Sequence, residues 1–334
     1  MLLKWLAPVL VAAAAPSWGL WQPGNNPVTY QVAGHAPRLA INYFGWQELP
    51  NGDQLAAAKA RGSRELIEMQ SDGTTLQAIS AGQWDHYLTL FGQRLEQIGI
   101  AVDITFDHEQ NGSWYSWGQQ PAAWRAAWNH VTDAVNAGCA CNLITWVDAP
   151  NVIVDKTRAD SLGAYWPVRN VDMLSLDGYL NAPSDTFSSV FARSIAAWRK
   201  LSGKPLIIAE VGVRASDPTA VAQVRGLMCN GRYPVAYFNA RDWKMTAAMT
   251  RAFLGCAVPK PSAPEGKTPP KSTLRVLGWK HTDPGRHGLA SKRPSAAENK
   301  SAPAGLSLIR SLVEQDAAGL SGSVLCYVVC AAQL

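Results

Sequence analysis

The chain has 334 residues, 47% of them hydrophobic and 16% charged, with a formal net charge of +5. That length holds one large barrel domain with extras, or two modest domains, and the hydrophobic fraction supports a sizeable core. Residues 259–304 carry nine Lys/Arg against three Asp/Glu, so the basic balance belongs to that stretch and argues against a nucleic-acid-binding body.

The first residues, Met1 to Pro16, combine a single Lys4 with a short apolar run and an Ala cluster. This is the pattern of a signal peptide over residues 1–15, cleaved near Ala13 to Ala15, and it implies a secreted, extracellular protein. The run is too short for a bilayer, which needs ~20 apolar residues. Residues 17–258 then alternate short apolar runs with helix-like stretches. The runs are Trp18–Trp21, Leu39–Phe44, Glu65–Met69, Val102–Phe106, Leu143–Val147, Val171–Leu176, Leu206–Ala209 and Val235–Phe238. Their β-branched and aromatic content predicts strands. Amphipathic patterns predict helices over Trp84–Ile98, Pro121–Ala137, Phe187–Leu201 and Asp242–Leu254. Eight strands alternating with helices predict an α/β fold, a (β/α)8 TIM barrel. A doubly wound open sheet has the same string, but no Gly-rich phosphate turn follows any run.

The 14 Trp outnumber the 9 Tyr and the 7 Phe. An indole N–H is costly to bury without a partner, so about half of these rings are assigned to surfaces or a cleft. Trp124, Trp128 and Trp198 fall on helical stretches and read as packing residues. Of the six cysteines, Cys229 and Cys256 flank one strand–helix unit and are the expected disulfide. Cys139 and Cys141 stand too close in sequence to bridge easily. No metal-ligand spacing occurs, and no cofactor is expected. From Pro259 the composition changes: residues 259–304 hold eight Pro and few large apolar groups, which predicts a disordered basic linker. Residues 305–334 form a short C-terminal segment with no assigned role.

Two carboxylates stand out. Glu109 lies in Phe106-Asp-His-Glu-Gln-Asn-Gly-Ser-Trp-Tyr-Ser-Trp-Gly118, just past an apolar strand and inside an aromatic loop. Glu210 ends the apolar run of Lys204-Pro-Leu-Ile-Ile-Ala-Glu-Val-Gly212. A charge at the end of a buried strand is expensive unless it has a partner or a task. Counting runs, Glu109 follows the fourth strand and Glu210 the seventh, and the C-terminal strand ends of a barrel carry its active site. Retaining glycoside hydrolysis needs two carboxyl groups ~5–5.5 Å apart, one as nucleophile and one as acid and then base.

These residues resemble glycoside hydrolase family 26, known for β-mannanases and mixed-linkage β-glucanases. The resemblance rests on His108-Glu-Gln-Asn-Gly112 followed by Trp114-Tyr-Ser-Trp117, on Gly45-Trp46, on Leu176-Asp-Gly-Tyr179 and on Ile208-Ala-Glu-Val-Gly212. It spans residues 18–256. It implies Glu109 as acid/base and Glu210 as nucleophile. It further implies that His108 orients the nucleophile and touches the sugar, that Trp114 walls the acid/base, and that Tyr179 hydrogen-bonds the nucleophile. Tyr237 takes the place where the family often has a platform Trp, and Trp46 offers a second sugar wall. Asn111, Trp146 and Asp177 complete the expected substrate-binding set. Gln110 departs from the family's Met, and Trp146-Val-Asp148 from its frequent Trp-x-Trp. Asp148 is expected to cap a helix; the alternative is that it raises the pKa of Glu109. The implied function is a secreted, monomeric, retaining endo-β-glycanase acting on β-1,4-mannan-type polysaccharide or oligosaccharide, without nucleic acid or a membrane span. A mixed-linkage β-glucanase is the alternative within the family, and a non-catalytic glycan-binding barrel the alternative outside it.

Overall fold

The computed structural model describes residues 18–154, 161–230 and 232–257. The expected signal peptide, the linker and the segment 305–334 lie outside the described residues. Nine parallel strands form one sheet: β1 (Trp18–Trp21), β2 (Leu39–Phe44), β3 (Arg64–Met69), β4 (Val102–Phe106), β5 (Ile144–Asp148), β6 (Met173–Leu174), β7 (Asp177–Leu180), β8 (Ile208–Val213) and β9 (Val235–Phe238). Their order is β6-β5-β4-β3-β2-β1-β9-β8-β7. The two names that end that order, β6 and β7, belong to one stave. The chain kinks at Ser175-Leu176, and both pieces bond to β5 on one side and β8 on the other. Ser175 N donates to Asp148 O at 2.7 Å and Val152 N to Asp177 O at 2.8 Å, while Ile207 N donates to Leu174 O at 3.0 Å. The sheet thus closes as eight staves, the (β/α)8 barrel the alternation predicts.

The helices are α1 (Gly52–Ala60), α2 (Leu76–Ser80), α3 (Asp85–Ile98), α4 (Pro121–Gly138), α5 (Leu162–Tyr165), α6 (Phe187–Leu201), α7 (Ala220–Met228) and α8 (Ala247–Ala257). Local chemistry sets their ends. Pro121 opens α4, where its missing N–H costs nothing. Thr186 and Ser189 bond each other's backbone N–H as a capping box at the start of α6. The predicted helix Asp242–Leu254 is in fact two elements: a 3-10 turn over Arg241–Trp243, then α8. That break leaves Trp243 at the barrel rim.

Side chains alternate between two cores. The outer one, between sheet and helices, holds most large apolar residues, including Phe91, Trp124, Trp128, Phe191, Trp198 and Phe253. The inner one is small: Ile41, Leu66, Val147, Ile207, Ala209 and Ala236. Two residues beyond Ile41 and Leu66, on the same inward face, come Tyr43 and Glu68. The barrel interior therefore turns from apolar to polar on the way to its C-terminal rim.

Cys229 and Cys256 are joined, linking the end of α7 to α8. Cys139 and Cys141 are joined as well, against the expectation from their spacing. The chain leaves α4 at Cys139 in an extended conformation, φ −122° and ψ 95°. Alternate side chains of extended chain share a side, and the Cα atoms come within 5.1 Å, inside the usual disulfide range.

The kink in the sixth stave is held by α6. Trp198 Nε1 donates to Ser175 O at 3.1 Å, and Ala209 N donates to Ser175 Oγ at 3.0 Å. Trp198→Phe strands a buried carbonyl and leaves a gap. We expect a loss of about 2–4 kcal/mol in urea unfolding with an unchanged m-value.

Candidate active site

The loop after β4 is built against its own conformational preference. Asp107 and Glu109 both have φ of 50°, in the left-handed region that costs a residue with a Cβ about 1–2 kcal/mol. Bonds on every side hold it there. Asp107 accepts from Ser71 N at 2.8 Å and Ser71 Oγ at 2.7 Å. The carbonyls of Asp107 and His108 accept the indole N–H groups of Trp124 at 3.1 Å and Trp117 at 2.9 Å. Glu109 N donates to Ala149 O at 2.7 Å. Asn111 exchanges two hydrogen bonds with the backbone of Asn151, at 2.9 and 2.8 Å. Asn111, expected to bind substrate, is instead buried as a clamp between the β4 and β5 loops.

Glu109 is 7% exposed. One oxygen accepts from Trp114 Nε1 at 2.6 Å and the other from the amide of Asn151. Burial, and then the charge of Glu210, push its carboxyl up to about 8 against those two donors.

Glu210 reaches the same space by a different irregularity. Between β8 and β9 the register slips, with Ile208 opposite Val235 but Val211 opposite Tyr237. Three residues on β8 thus span two on β9, a bulge, and bulges re-aim side chains. Ala209 joins the inner core and Glu210, its neighbour, turns to the barrel mouth as well. The strand continues to Val213, so Glu210 lies inside it rather than at its end. Its two oxygens accept from the hydroxyls of Tyr43 and Tyr179. Burial raises Glu210 while both phenols oppose the rise.

Two further acids share this interior. Glu68 and Asp177 have no exposure, and both are held well above the usual carboxylate range. Burial is the first cause for each, followed by neighbouring carboxylates. Asp177 is the register partner of Glu210. His108 Nδ1 lies 3.0 Å from Glu68 Oε2, and its Nε2 3.1 Å from Tyr115 Oη. Burial pushes His108 down to about 3, so its ring is neutral. Asp148 caps no helix; it accepts from Gln110 Nε2 at 2.8 Å, and burial pushes it up to about 7.

Of the expected aromatic residues, the structure gathers Trp114 and Tyr179 at the carboxylates and leaves three elsewhere. Tyr237 is fully buried, its hydroxyl donating to Trp243 O at 2.9 Å and its ring packed against Phe253 in the outer core. On β9, in unbroken register with β1, the inward residue is Ala236, so Tyr237 faces outward. Trp146 is 2% exposed and donates to Asn136 Oδ1 at 3.0 Å. Trp46 packs against Trp84, Tyr87 and Phe106. The ring beside Tyr179 is Trp243, with centroids 4.4 Å apart; Phe238 lies 6.2 Å from Tyr179 and stacks on Trp21 at 4.4 Å. Gly112 and Gly212 make room for this: a Cβ on either would run into the ring of Trp114 or Trp243. Sequence reasoning missed Tyr43, Glu68, Asn151 and Trp243.

A parallel (β/α)8 barrel whose rim carries two adjacent buried glutamates amid aromatic rings is the architecture of a glycoside hydrolase. Residues 87–216 match the model of Glycosyl hydrolase family 26. The fold is similar to a Cellulomonas fimi endo-β-1,4-mannanase double mutant at 17% identity, covering 73% of this chain and 69% of that one, with a TM-score of 0.57. It is similar to the catalytic domain of a Bacillus sp. family 26 endo-β-1,4-mannanase at 16% identity, 72% and 85% coverage and a TM-score of 0.54. A Bacteroides ovatus family 26 β-mannanase gives 15%, 73% and 86%, and 0.50. The chain is thus similar to glycosyl hydrolase family 26 over residues 87–216 and shares the fold of these mannanases.

The buried carboxyls bear on stability. Glu68, Asp107, Glu109, Asp148, Asp177 and Glu210 are all raised in the folded state. A raised group binds its proton more tightly folded than unfolded, so its contribution is full below the unfolded value of ~4 and is lost as pH rises through the folded value. The melting temperature should therefore be higher at ~pH 5 than at ~pH 9. Glu109→Gln, which never ionises, should gain on the wild type more at ~pH 9 than at ~pH 5.

Proposed function

We propose that this protein is a secreted retaining endo-β-glycanase that hydrolyses β-1,4-mannan, with Glu210 as nucleophile and Glu109 as acid/base. The observation that carries the reading is the unequal electrostatics of the two neighbouring glutamates, each of which accepts two hydrogen bonds. Glu210 accepts from two phenol hydroxyls, and Glu109 feels the charge of Glu210 and is pushed up to about 8. Glu210 thus ionises first, and Glu109 keeps its proton near neutral pH. Two carboxyls whose environments push them apart divide into nucleophile and acid.

In the first step Glu210 attacks the anomeric carbon while Glu109 gives its proton to the departing glycosidic oxygen. A covalent glycosyl–enzyme results, and the sugar ring passes through an oxocarbenium-like state that the neighbouring negative charge favours. As the leaving sugar departs, Glu109 is left as a carboxylate, held by Trp114 and Asn151. It then takes a proton from water, which attacks the same carbon from the face the leaving group vacated. The two inversions restore the starting configuration. Trp114 and Trp243 offer flat apolar faces to sugar C–H groups. Mannan as substrate is supported by the named activities of the similar structures from Cellulomonas fimi, Bacillus sp. and Bacteroides ovatus. Export is supported by two disulfides among the described residues, which persist in oxidising compartments.

Purified protein should release reducing ends from mannan and galactomannan faster than from lichenan or cellulose, with the first product anomer β by proton NMR. An α product excludes the retaining step, and no release from any glycan excludes the enzyme. Glu210→Ala should be inert on every substrate. Glu109→Ala should lose about 10²–10⁴-fold on polysaccharide but much less on aryl glycosides with acidic leaving groups. Azide should restore Glu109→Ala and yield the β-glycosyl azide; an α-azide from that variant reverses the two roles.

The pH–rate profile of kcat/KM tests the electrostatic argument separately. Tyr43→Phe removes a donor that lowers Glu210, so the acid limb should move to higher pH. Trp114→Phe removes a donor that lowers Glu109, so the alkaline limb should move to higher pH. Either limb moving the opposite way overturns the assignment of that limb.

A further inference from the structure

We propose that Glu68 is a positioning residue that holds His108 in a single neutral tautomer by carrying the proton of the Glu68–His108 pair itself. The proposal rests on the glycosidase reading above for its importance, but its geometry stands independently of it.

Glu68 is on β3, two residues past Leu66 of the inner core, and so faces into the barrel. It is the register partner of Tyr43, whose hydroxyl bonds Glu210. Its Oε2 is 3.0 Å from His108 Nδ1, and the side chains are 0% and 2% exposed. Neither Glu68 oxygen nor His108 Nδ1 makes an aligned hydrogen bond among the described residues, so the 3.0 Å approach is the contact that relates them. Two buried polar groups at that distance, each without an aligned partner, avoid an unsatisfied acceptor pair by sharing a proton, with a small rotation of the ring or the carboxyl to align it.

The question is where the proton resides. The titratable groups that act on this pair are Tyr43 from β2, Glu109 and Tyr115 from the loop after β4, Asp177 from β7, and Glu210 from β8. Among the described residues, no lysine or arginine figures among the groups acting on Glu68. An anionic Glu68 would add a negative charge beside Glu109, Asp177 and Glu210, and would need an imidazolium in a fully buried position. The neutral arrangement avoids both charges. Glu68 then donates its O–H to Nδ1, and His108 donates Nε2–H to Tyr115 Oη. Tyr115 is itself fixed by stacking on Trp117 at 4.4 Å, and Trp117 donates to the His108 carbonyl. The residue before Glu109 is thus held by its ring on one side and its carbonyl on the other.

Three variants and one spectrum test this. Gln in place of Glu68 presents a neutral N–H donor to Nδ1 and cannot ionise. Glu68→Gln should keep kcat within about threefold of the wild type and leave both limbs of the pH–rate profile in place. Glu68→Ala should lower kcat about tenfold or more with little change in KM, because the ring loses its donor. If Glu68 were ionised, Glu68→Gln would remove a negative charge and move both limbs to lower pH, which overturns the proposal. Equal losses in Gln and Ala, or none in either, also overturn it. In ¹⁵N-histidine spectra of the full chain, with His108→Gln to assign the signal, the His108 ring should show Nε2 protonated and Nδ1 bare from ~pH 5 to ~pH 8. An imidazolium or an Nδ1–H tautomer overturns the proposal without reference to activity. A chain inactive on every glycan but showing the expected tautomer would leave this arrangement standing and remove only the glycanase reading.

Discussion

An ionised carboxylate moved from water into a protein interior costs several kcal/mol unless something replaces its hydration, and Glu68, Glu109, Asp177 and Glu210 share one such interior. Among the described residues, no lysine or arginine is among the groups that act on any of them. The arrangement persists because few of the four are charged at once. Phenol hydroxyls solvate Glu210, indole and amide N–H groups solvate Glu109, and the remaining two are driven toward their neutral forms. A cation here would quench the charge that a positively polarised sugar ring requires in its transition state. On the glycosidase reading, gathering unpaired carboxyls in one interior costs stability and serves the chemistry, which is the usual direction of that exchange.

Regular barrel geometry alone would not bring these groups together. Strict alternation along β8 would send Ala209 and Glu210 to opposite faces, and the bulge against β9 turns both inward. A loop of ordinary backbone after β4 would not need two left-handed residues, yet Asp107 and Glu109 both adopt that conformation. The sixth stave breaks at Ser175 so that Asp177 and Tyr179 resume pairing in register with Glu210 and Gly212. Each departure is fixed by a named bond from outside the strand: Ser71 to Asp107, Trp198 to Ser175, and the two tyrosines to Glu210. Strain stored locally and secured by surrounding structure is characteristic of functional sites.

The same departures mark where the sequence stops being readable. The eight apolar runs predicted the staves because alternation and β-branched content are local properties, and Glu109 and Glu210 stood out as charges beside such runs. Which face a residue takes beyond a bulge is not local. Tyr237 was placed at the site by the resemblance alone, since it stands where the family often has a platform Trp, and on β9 it faces Phe253 in the outer core instead. Trp243 was hidden inside an amphipathic pattern that reads as helix from Asp242, whereas the chain makes a 3-10 turn there and starts α8 only at Ala247. Glu68 left a trace, an acid inside the apolar run Glu65–Met69, but its partner His108 is 40 residues away and the pairing belongs to the barrel's closure. Cys139 and Cys141 were judged on spacing alone, and the extended exit from α4 decided otherwise.

The tryptophan count also finds its physical reason. Trp117, Trp124, Trp128 and Trp198 each donate their indole N–H to a backbone carbonyl, those of His108, Asp107, Arg169 and Ser175. Three of those carbonyls sit next to or within the segments that carry Glu109 and Asp177. A carbonyl in a loop forced away from regular pairing is an acceptor the sheet no longer satisfies, and a buried one left bare costs about 1–3 kcal/mol. An indole is suited to that place, since one rigid side chain fills the volume under the loop and supplies the missing donor at its edge. Trp114 uses the same N–H on a carboxylate rather than a carbonyl. The richness in tryptophan is therefore largely a scaffold property: the rings hold the irregular rim still, and a rim held still keeps Glu109 and Glu210 in place, which on the glycosidase reading lets them meet a sugar without first reorganising.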